Sequence, residues 1–425
     1  MSIYNIGKAP LSLALGFGEV TISRYLDGQM PSNNYSNIML KALSSPAFME
    51  ERLEQNRDKV GETAYRKAMK AIIQLKKLFN VSEKMLISIA YIFEEMQEEF
   101  KRKLRDILIE RYDVDIDEAN MSMSTQNYAF IFPGQPFMIR VSTAPKKTRT
   151  EILSELMWLD DLKQFKETVC EPNVSKLGNL LEEFEIDDRV YRASMFRTAR
   201  GVIKTTPEMK PMFFICVGDL LGTIHHVSTD ERELGIKFKR KEKSEEFVAL
   251  RERVKDKIPS EIMERILKIE EQVNNLSTEL GVYGLCHGDF HINNFFVEDN
   301  NIWVFDFDGC SYANYLYDVA SFIQACFIRG YGAGKDLRQV MNDEVLPYFK
   351  IGYSLNKECG DGYWDNLELM IAYRTALTYM ALAEIETVGV ISDTEKIKQF
   401  FSFLMSQDDV MDAMTMAMKS AGGVV

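Results

Sequence analysis

The chain has no long hydrophobic run, no paired-cysteine pattern and almost no histidine. Nothing in its 425 residues approaches the ~18 consecutive apolar residues of a membrane span, so no spanning helix is expected. The start, Met1-Ser2-Ile3-Tyr4-Asn5, shows no basic region leading into an apolar one; no signal peptide is expected, and the reading is cytoplasmic. The six cysteines (Cys170, Cys216, Cys286, Cys310, Cys326, Cys359) are scattered without a C-x-x-C pair. That spacing fits buried reduced thiols and makes a zinc site improbable. A basic excess is also missing. The net charge of −13 argues against the whole molecule being a nucleic-acid binder.

What is present is a soluble globular composition, 46% hydrophobic and 27% charged, on a chain long enough for two or three domains. Charge is unevenly spread. Residues 1–94 hold 12 Lys/Arg against 9 Asp/Glu, about +3, which leaves about −16 for the remainder and points to separate modules. The acidic remainder suits a cationic substrate, although solvated surface charge accounts for it more simply.

The most informative passage is His287-Gly288-Asp289-Phe290-His291-Ile292-Asn293-Asn294, followed about a dozen residues later by Val304-Phe305-Asp306-Phe307-Asp308. It supplies a carboxylate, an amide five positions on, and a second carboxylate beyond a short hydrophobic strand. Phosphoryl transfer from ATP needs such a set: one carboxylate to take the acceptor's proton, an amide and a carboxylate to hold Mg²⁺ against the phosphates. The D-x-x-x-x-N spacing of Asp289 and Asn294, with Asp306-Phe307 downstream, parallels the kinase catalytic loop and its D-F-G.

Residues 284–320 resemble the signature of the aminoglycoside phosphotransferase and choline kinase-like family, which writes the loop as H-G-D-x-H-x-x-N. Every fixed position is filled, by His287, Gly288, Asp289, His291 and Asn294. The following block appears as Phe305-Asp306-Phe307-Asp308 and Tyr317-Asp318-Val319-Ala320. The resemblance implies an α+β, bilobal protein-kinase-like fold with a small antiparallel sheet lobe and a large helical lobe. It implies Asp289 as catalytic base, Asn294 and Asp306 as metal ligands, and ATP and Mg²⁺ as cofactors. Asp308 would add a metal or water contact. Asp318, His287 and His291 would support the loop, as would His225 at the end of Gly218–His225.

Upstream, Tyr128–Phe132 and Pro136–Val141 alternate as two strands around Pro133-Gly134-Gln135, a plausible hairpin. The Ser/Asn-rich turn before it, Ser122 to Asn127, would cover the phosphates. In family terms Arg140 at the end of the second strand would meet the phosphates, with Glu155 on the next helix as its partner. Backbone groups of Ser194, Met195 and Phe196 would bind adenine at a hinge, and Gly201 would follow as the inter-lobe glycine. The acceptor site is expected from the helices after 240 and from residues 311–425. Tyr312, Tyr315, Asp361, Tyr363, Trp364, Asp365 and Glu368 are candidates for an aromatic and acidic pocket suited to an amine or sugar-like alcohol.

At the other end, Pro10 can start a helix that Leu11, Leu13, Ala14 and Leu15 fill and Gly16-Phe17-Gly18 breaks. A second, from about Glu19 to Asp27, has Val20, Ile22, Tyr25 and Leu26 as candidate buried positions. Leu15 to Gln29 is similar to the helix-turn-helix of Panacea-type antitoxin regulators, without their leading helix. The likeness continues through Pro31-Ser32 to Val81–Leu86. It implies that Thr21, Ser23 and Arg24 could face a DNA groove, or that residues 1–94 dock a protein.

The expected domains are a helix-turn-helix-like region over 1–60, a helical linker over 61–96, an N-lobe over 97–200 and a C-lobe over 201–425. The functional expectation is an ATP- and Mg-dependent phosphotransferase acting on the hydroxyl of an aminoglycoside, amino alcohol or sugar-like molecule. The alternatives are a stress-response Ser/Thr protein kinase and a nucleotide-sensing regulator that uses its N-terminus. Oligomeric state leaves no trace in the residues.

Overall fold

Pro10 and its apolar neighbours form the first helix, α1 (Lys8–Ala14), which ends before Gly16. The computed structural model describes residues 6–26, 35, 38–39, 42, 46–72, 99–123, 127–143, 147–235, 238–384 and 393–421. The chain divides into two compact units, residues 1–103 and 104–425.

In the first unit α1 is followed by α2 (Thr21–Leu26), α3 (Pro46–Gln55) and helical residues 62–72. Ser12 is wholly buried, and its Oγ accepts the Ile22 N–H at 2.8 Å, pinning the start of α2 against α1. The free carbonyls at the end of α1 are taken by side chains. Asn56 Nδ2 donates to Ala14 O at 3.2 Å and Arg52 Nη2 to Leu15 O at 3.0 Å. Ala14, Leu15, Ile22, Met49, Leu53 and Ile72 pack into this unit's core. Val20, expected inside, is 53% exposed because the helix begins one residue after it. Thr21 and Ser23 are half-buried and Arg24 is exposed on α2. Asp27 to Gln29, Pro31-Ser32, Val81–Leu86 and most of the 61–96 linker lie outside the described residues.

The second unit opens with helical residues 104–112, whose Leu104, Leu108 and Tyr112 are buried. The Tyr112 hydroxyl donates to Ala193 O at 2.8 Å. An antiparallel sheet follows, built from β1 (Asn120–Met123), β2 (Asn127–Ile131), β3 (Phe137–Thr143), β4 (Pro172–Asn173), β5 (Glu182–Ile186) and β6 (Arg189–Arg197). The order is β1-β2-β3-β6-β4, with β5 also on β6. The expected hairpin is β2–β3, with Ile131 opposite Met138 across the Pro133–Gln135 turn. Helix α4 (Arg149–Leu162) starts with a capping box in which Thr148 and Glu151 satisfy each other's backbone N–H.

The adenine expectation changes here. Ser194, Met195 and Phe196 lie inside β6: Ser194 opposes Arg140 and Phe196 opposes Met138 on β3, while Met195 and Phe196 face Asn173 and Pro172 on β4. Met195 and Phe196 are thus paired on both sides and Ser194 with β3, so these three residues belong to the strand, and the backbone that leaves the sheet begins after Arg197. The strand ends at Arg197, and Thr198 N–H still reaches back to Pro136 O at 3.0 Å. Gly201 then turns with φ +92°. A Cβ there would sit 2.3 Å from Val297 O, so only glycine fits this approach to the helical half.

That half is built around α5 (Pro211–Glu233), which is long and apolar enough to cross a membrane but is mostly buried in the core. It is followed by α6 (Lys243–Val254), α7 (Ser260–Asn274), α8 (Leu316–Ile328), α9 (Leu346–Tyr353), α10 (Leu367–Glu384), α11 (Asp393–Ser406) and α12 (Val410–Ala421). Gly218 and Gly222 of α5 meet α9 backbone to backbone. A Cβ on Gly218 would fall 2.1 Å from Phe349 O, and one on Gly352 of α9 would fall 1.9 Å from Ile215 O. Four short strands, β7 (Tyr283–Cys286), β8 (Phe295–Glu298), β9 (Asn301–Val304) and β10 (Ser311–Asn314), pair as β7–β10 and β8–β9.

Candidate functional site

Those two ladders explain why the spaced motifs meet. Cys286 pairs with Ser311, and Phe295 pairs with Val304. The stretches between, 287–294 and 305–310, are therefore clamped side by side at both ends. Phe305 N–H donates to Asn294 O at 3.0 Å, so the amide residue and Asp306 stand on adjacent turns. Gly288 has φ +82°, and a Cβ on it would lie 1.9 Å from Gly309 O; the two loops touch only because that position is glycine.

The loop is braced from beneath. Asp318, fully buried near the start of α8, accepts the His287 N–H at 2.7 Å through Oδ2 and the Gly288 N–H at 2.9 Å through Oδ1. His225 on α5 contacts Asp318 Oδ2 at 3.3 Å through Nε2 and the Tyr353 hydroxyl at 2.7 Å through Nδ1, and it stacks on Tyr315. His287 Nε2 donates to Phe305 O at 3.0 Å, which leaves its Nδ1 to accept the Asp289 N–H at 3.3 Å. His225, Cys286 and Asp318 bring metal-capable atoms within 4.8 Å of one another, yet the His225 and Asp318 donors are already spent on this bracing.

Above the brace, Asp289 Oδ2 lies 3.2 Å from His291 Nε2 and 3.4 Å from Asn294 Nδ2, and Asn294 also donates to Asp289 O at 3.0 Å. Burial pushes the Asp289 carboxyl up, but hydrogen bonding from His291 and the charge of Arg374 outweigh it and hold the group well below the usual carboxylate range. Asp306 takes a left-handed backbone, φ 65° and ψ 55°, an uncommon conformation for a residue with a side chain. Loss of hydration raises the Asp306 carboxyl; Arg140 opposes this and Asp308 adds to it. Phe307 turns inward onto Trp158 of α4, with ring centroids 5.5 Å apart.

Arg140 and Glu155 form a buried two-point ion pair, Nη1–Oε1 2.7 Å and Nη2–Oε2 3.0 Å, and the guanidinium lies over the Phe196 ring at 4.7 Å. Asp308 sits among cations: Lys147 Nζ lies 2.5 Å from its Oδ1 and Arg140 Nη1 lies 3.8 Å away, while Arg240 donates to its carbonyl at 2.6 Å. Burial acts to raise Asp308, and Arg140 and Lys147 together lower it. Asn127, the first residue of β2, reaches Asp308 Oδ2 at 3.4 Å and accepts the Ser142 hydroxyl at 2.8 Å. The preceding 124–126 lie outside the described residues.

Asp289, Asp306 and Asp308 all open onto one cavity of about 930 Å³. One wall comes from α6, through Glu245, Glu246 and Arg253. Leu377 and Ala381 of α10 supply an apolar patch, and Lys147, Arg240 and Lys241 add positive charge to the lining. None of the aromatic and acidic candidates from residues 312–368 lines this cavity. Tyr312 bonds the Phe238 backbone, Tyr315 stacks on His225, Tyr363 bonds the Tyr353 hydroxyl at 2.7 Å and Trp364 packs on Phe349 and Tyr353. Glu368 pairs with Arg338 at 2.8 Å, and Asp361 and Asp365 are likewise absent from the cavity lining. Residue type alone does not tell on which side of a helix or turn such side chains fall. Conversely, Arg374, Lys147 and Arg240 carry no motif that would have singled them out.

A model of the "Phosphotransferase enzyme family" (APH) matches residues 116–354. The chain is 22% identical over 296 residues to the amicoumacin kinase of Bacillus subtilis (strain 168), covering 67% of this chain and 86% of that protein. It is similar to the solved structure of an amicoumacin kinase in complex with AMP-PNP, Ca²⁺ and Ami, with a TM-score of 0.63 at 19% identity over 74% of this chain and 97% of that one. A microcompartment-associated aminopropanol kinase aligns with a TM-score of 0.51 at 16% identity, covering 76% of this chain and 99% of that one. These likenesses establish the α+β, bilobal kinase-like fold.

Proposed function

Because the chain belongs to the phosphotransferase enzyme family, we propose that it moves the γ-phosphate of ATP to a hydroxyl of a small molecule, with Asp289 as the base. The observation that carries this reading is the convergence of Asp289, Asp306 and Asp308 on a single cavity, beside a strand–helix ion pair of Arg140 with Glu155.

The donor set fits a hard divalent ion. The Asn294 amide and Asp306 carboxylate offer oxygen at adjacent turns, the ligand type that Mg²⁺ prefers. When bound, Mg²⁺ supplies charge neutralisation along the phosphates. Lys147 reaches the cavity and so has a donor for phosphate oxygens, and Arg140 stands behind it, 3.8 Å from Asp308, with a buried Nε that lacks a partner. Backbone after Arg197, where β6 leaves the sheet, is the place for adenine.

Asp289 then orients the acceptor's O–H. Its charged form is so strongly favoured that it is a weak proton acceptor in the ground state. That suits a loose transition state, in which the acceptor oxygen becomes acidic only as the bond to phosphorus forms and the proton reaches a carboxylate oxygen late. His291 and Asn294 keep the carboxylate aimed, and Asp318 keeps the loop beneath it fixed.

The test is ADP release from Mg·ATP with amino alcohols including aminopropanol, amicoumacin, aminoglycosides and generic protein. Asp289→Asn should nearly abolish turnover while leaving ATP affinity intact. Turnover retained by that variant rejects the assignment.

A further inference from the structure

We propose that Arg374 is a positioning residue of the phosphotransfer site: anchored by Tyr317, its guanidinium holds the Asp289 carboxylate at the angle an acceptor hydroxyl requires. The inference rests on the reading of Asp289 as the base.

Arg374 comes from α10, 85 positions from the loop it reaches. Its Nη2 donates to Asp289 Oδ1 at 2.5 Å and its Nη1 to the Tyr317 hydroxyl at 2.9 Å. Tyr317 is wholly buried at the start of α8, one residue before Asp318, which holds the same loop from below. The helix carrying Arg374 is tied to α8 a second time, through Gln324 Nε2 and the Thr375 hydroxyl at 2.6 Å. One helix therefore fixes both the catalytic loop and the arginine that meets it.

The other oxygen of Asp289 faces His291 and Asn294. Held by one donor on Oδ1 and two on Oδ2, the carboxylate cannot rotate freely, yet Oδ1 keeps a second lone pair for an O–H. Its side chain remains 38% exposed, toward the cavity, while that of Arg374 is 18% exposed. An ordinary surface ion pair joins two flexible, solvated groups and does little. Here one partner is locked by a buried tyrosine, so the geometry is set before any acceptor arrives, and reacting groups displaced by about 1 Å forfeit roughly 100-fold in rate.

The experiment measures ADP release from Mg·ATP, in water alone and with the acceptor panel above, for the full chain carrying Arg374→Ala, Arg374→Lys, Tyr317→Phe or Asp289→Asn. Arg374→Ala should lower kcat by about 10- to 100-fold with the KM for ATP within about twofold. Arg374→Lys and millimolar guanidinium chloride added to the alanine variant should each restore part of the loss, and Tyr317→Phe should fall between. Full activity of Arg374→Ala beside an inactive Asp289→Asn overturns the role of Arg374 alone. So does a loss that tracks thermal stability or ATP affinity and that neither lysine nor guanidinium relieves. An active Asp289→Asn, or a wild type without turnover, brings down the reading of Asp289, and this proposal with it.

Discussion

The Oδ1 of Asp318 accepts the backbone N–H of Gly288 at 2.9 Å, and the bond reaches across thirty positions of chain from the start of α8 to the loop. With the His287 bond it gives the Asp289 turn a charged, buried foundation. Asp318→Ala would leave two backbone donors and His225 Nε2 buried without an acceptor, a loss of roughly 2–4 kcal/mol. Urea unfolding should show it, with Asp318→Asn intermediate because one oxygen remains. Burial pushes this carboxyl up, but His225 and the loop hold it below the ordinary aspartate value. Its contribution is therefore complete above that ordinary value and fades only as pH falls through the lower folded one. Wild-type stability should keep this contribution down to about pH 4.

Arg140 and Glu155 meet at two points with little water around them. Arg140→Lys offers one point in place of two, and should raise the KM for ATP by about tenfold, close to the worth of one charge-assisted hydrogen bond. Glu155→Ala strands the guanidinium in a buried site and should cost about 3–5 kcal/mol in denaturant titrations. An unchanged KM in the lysine variant would remove Arg140 from the nucleotide site.

Glu231 on α5 lies in a buried setting beside Asp161, and burial followed by the Asp161 charge pushes its pKa up to about 8. The sign follows directly. With the folded value above the unfolded one, its contribution is complete below the ordinary glutamate range and is lost as pH rises toward 8. Glu231→Gln should be more stable than wild type at pH 8 and no better at pH 4. Melting curves at the two pH values decide it.

Asp306 is raised by loss of hydration, so protons compete for the oxygen assigned to the metal. The Mg²⁺ concentration needed for half-maximal turnover should rise as pH is lowered toward the carboxylate range. Asp306→Ala should abolish the metal dependence of nucleotide binding, and chelation should do the same in wild type. Isothermal titration with and without Mg²⁺ measures both.

The residues that could be read in advance share a property: local spacing fixes where they go. Asp289 and Asn294 belong to one short loop, and the β8–β9 hairpin leaves Asp306 no other place than beside them. Arg140 and Glu155 follow from the order of strand and helix. Arg374 could not be found this way. An arginine amid the apolar α10 reads as a solvated face, and nothing near it in sequence points to Asp289. Lys147 follows another lysine just beyond β3 and reads as ordinary surface charge. The apolar run through Met195 and Phe196 fits either the end of a strand or a hinge, and only pairing with β3 and β4 decides for the strand. Aromatic and acidic residues in 312–368 show composition without direction, and packing took the aromatic ones.

The bare contact of Gly218, Gly222 and Gly352 also limits how such an enzyme can diverge. With main chain lying on main chain, that seam has no room for an added methyl, so α5, His225 and the loop they support are closed to gradual change. Descendants that take up new acceptors must do so on the opposite side, through cavity residues such as Glu245 and Glu246 of α6 and Leu377 and Ala381 of α10, while Arg374 stays fixed on Asp289.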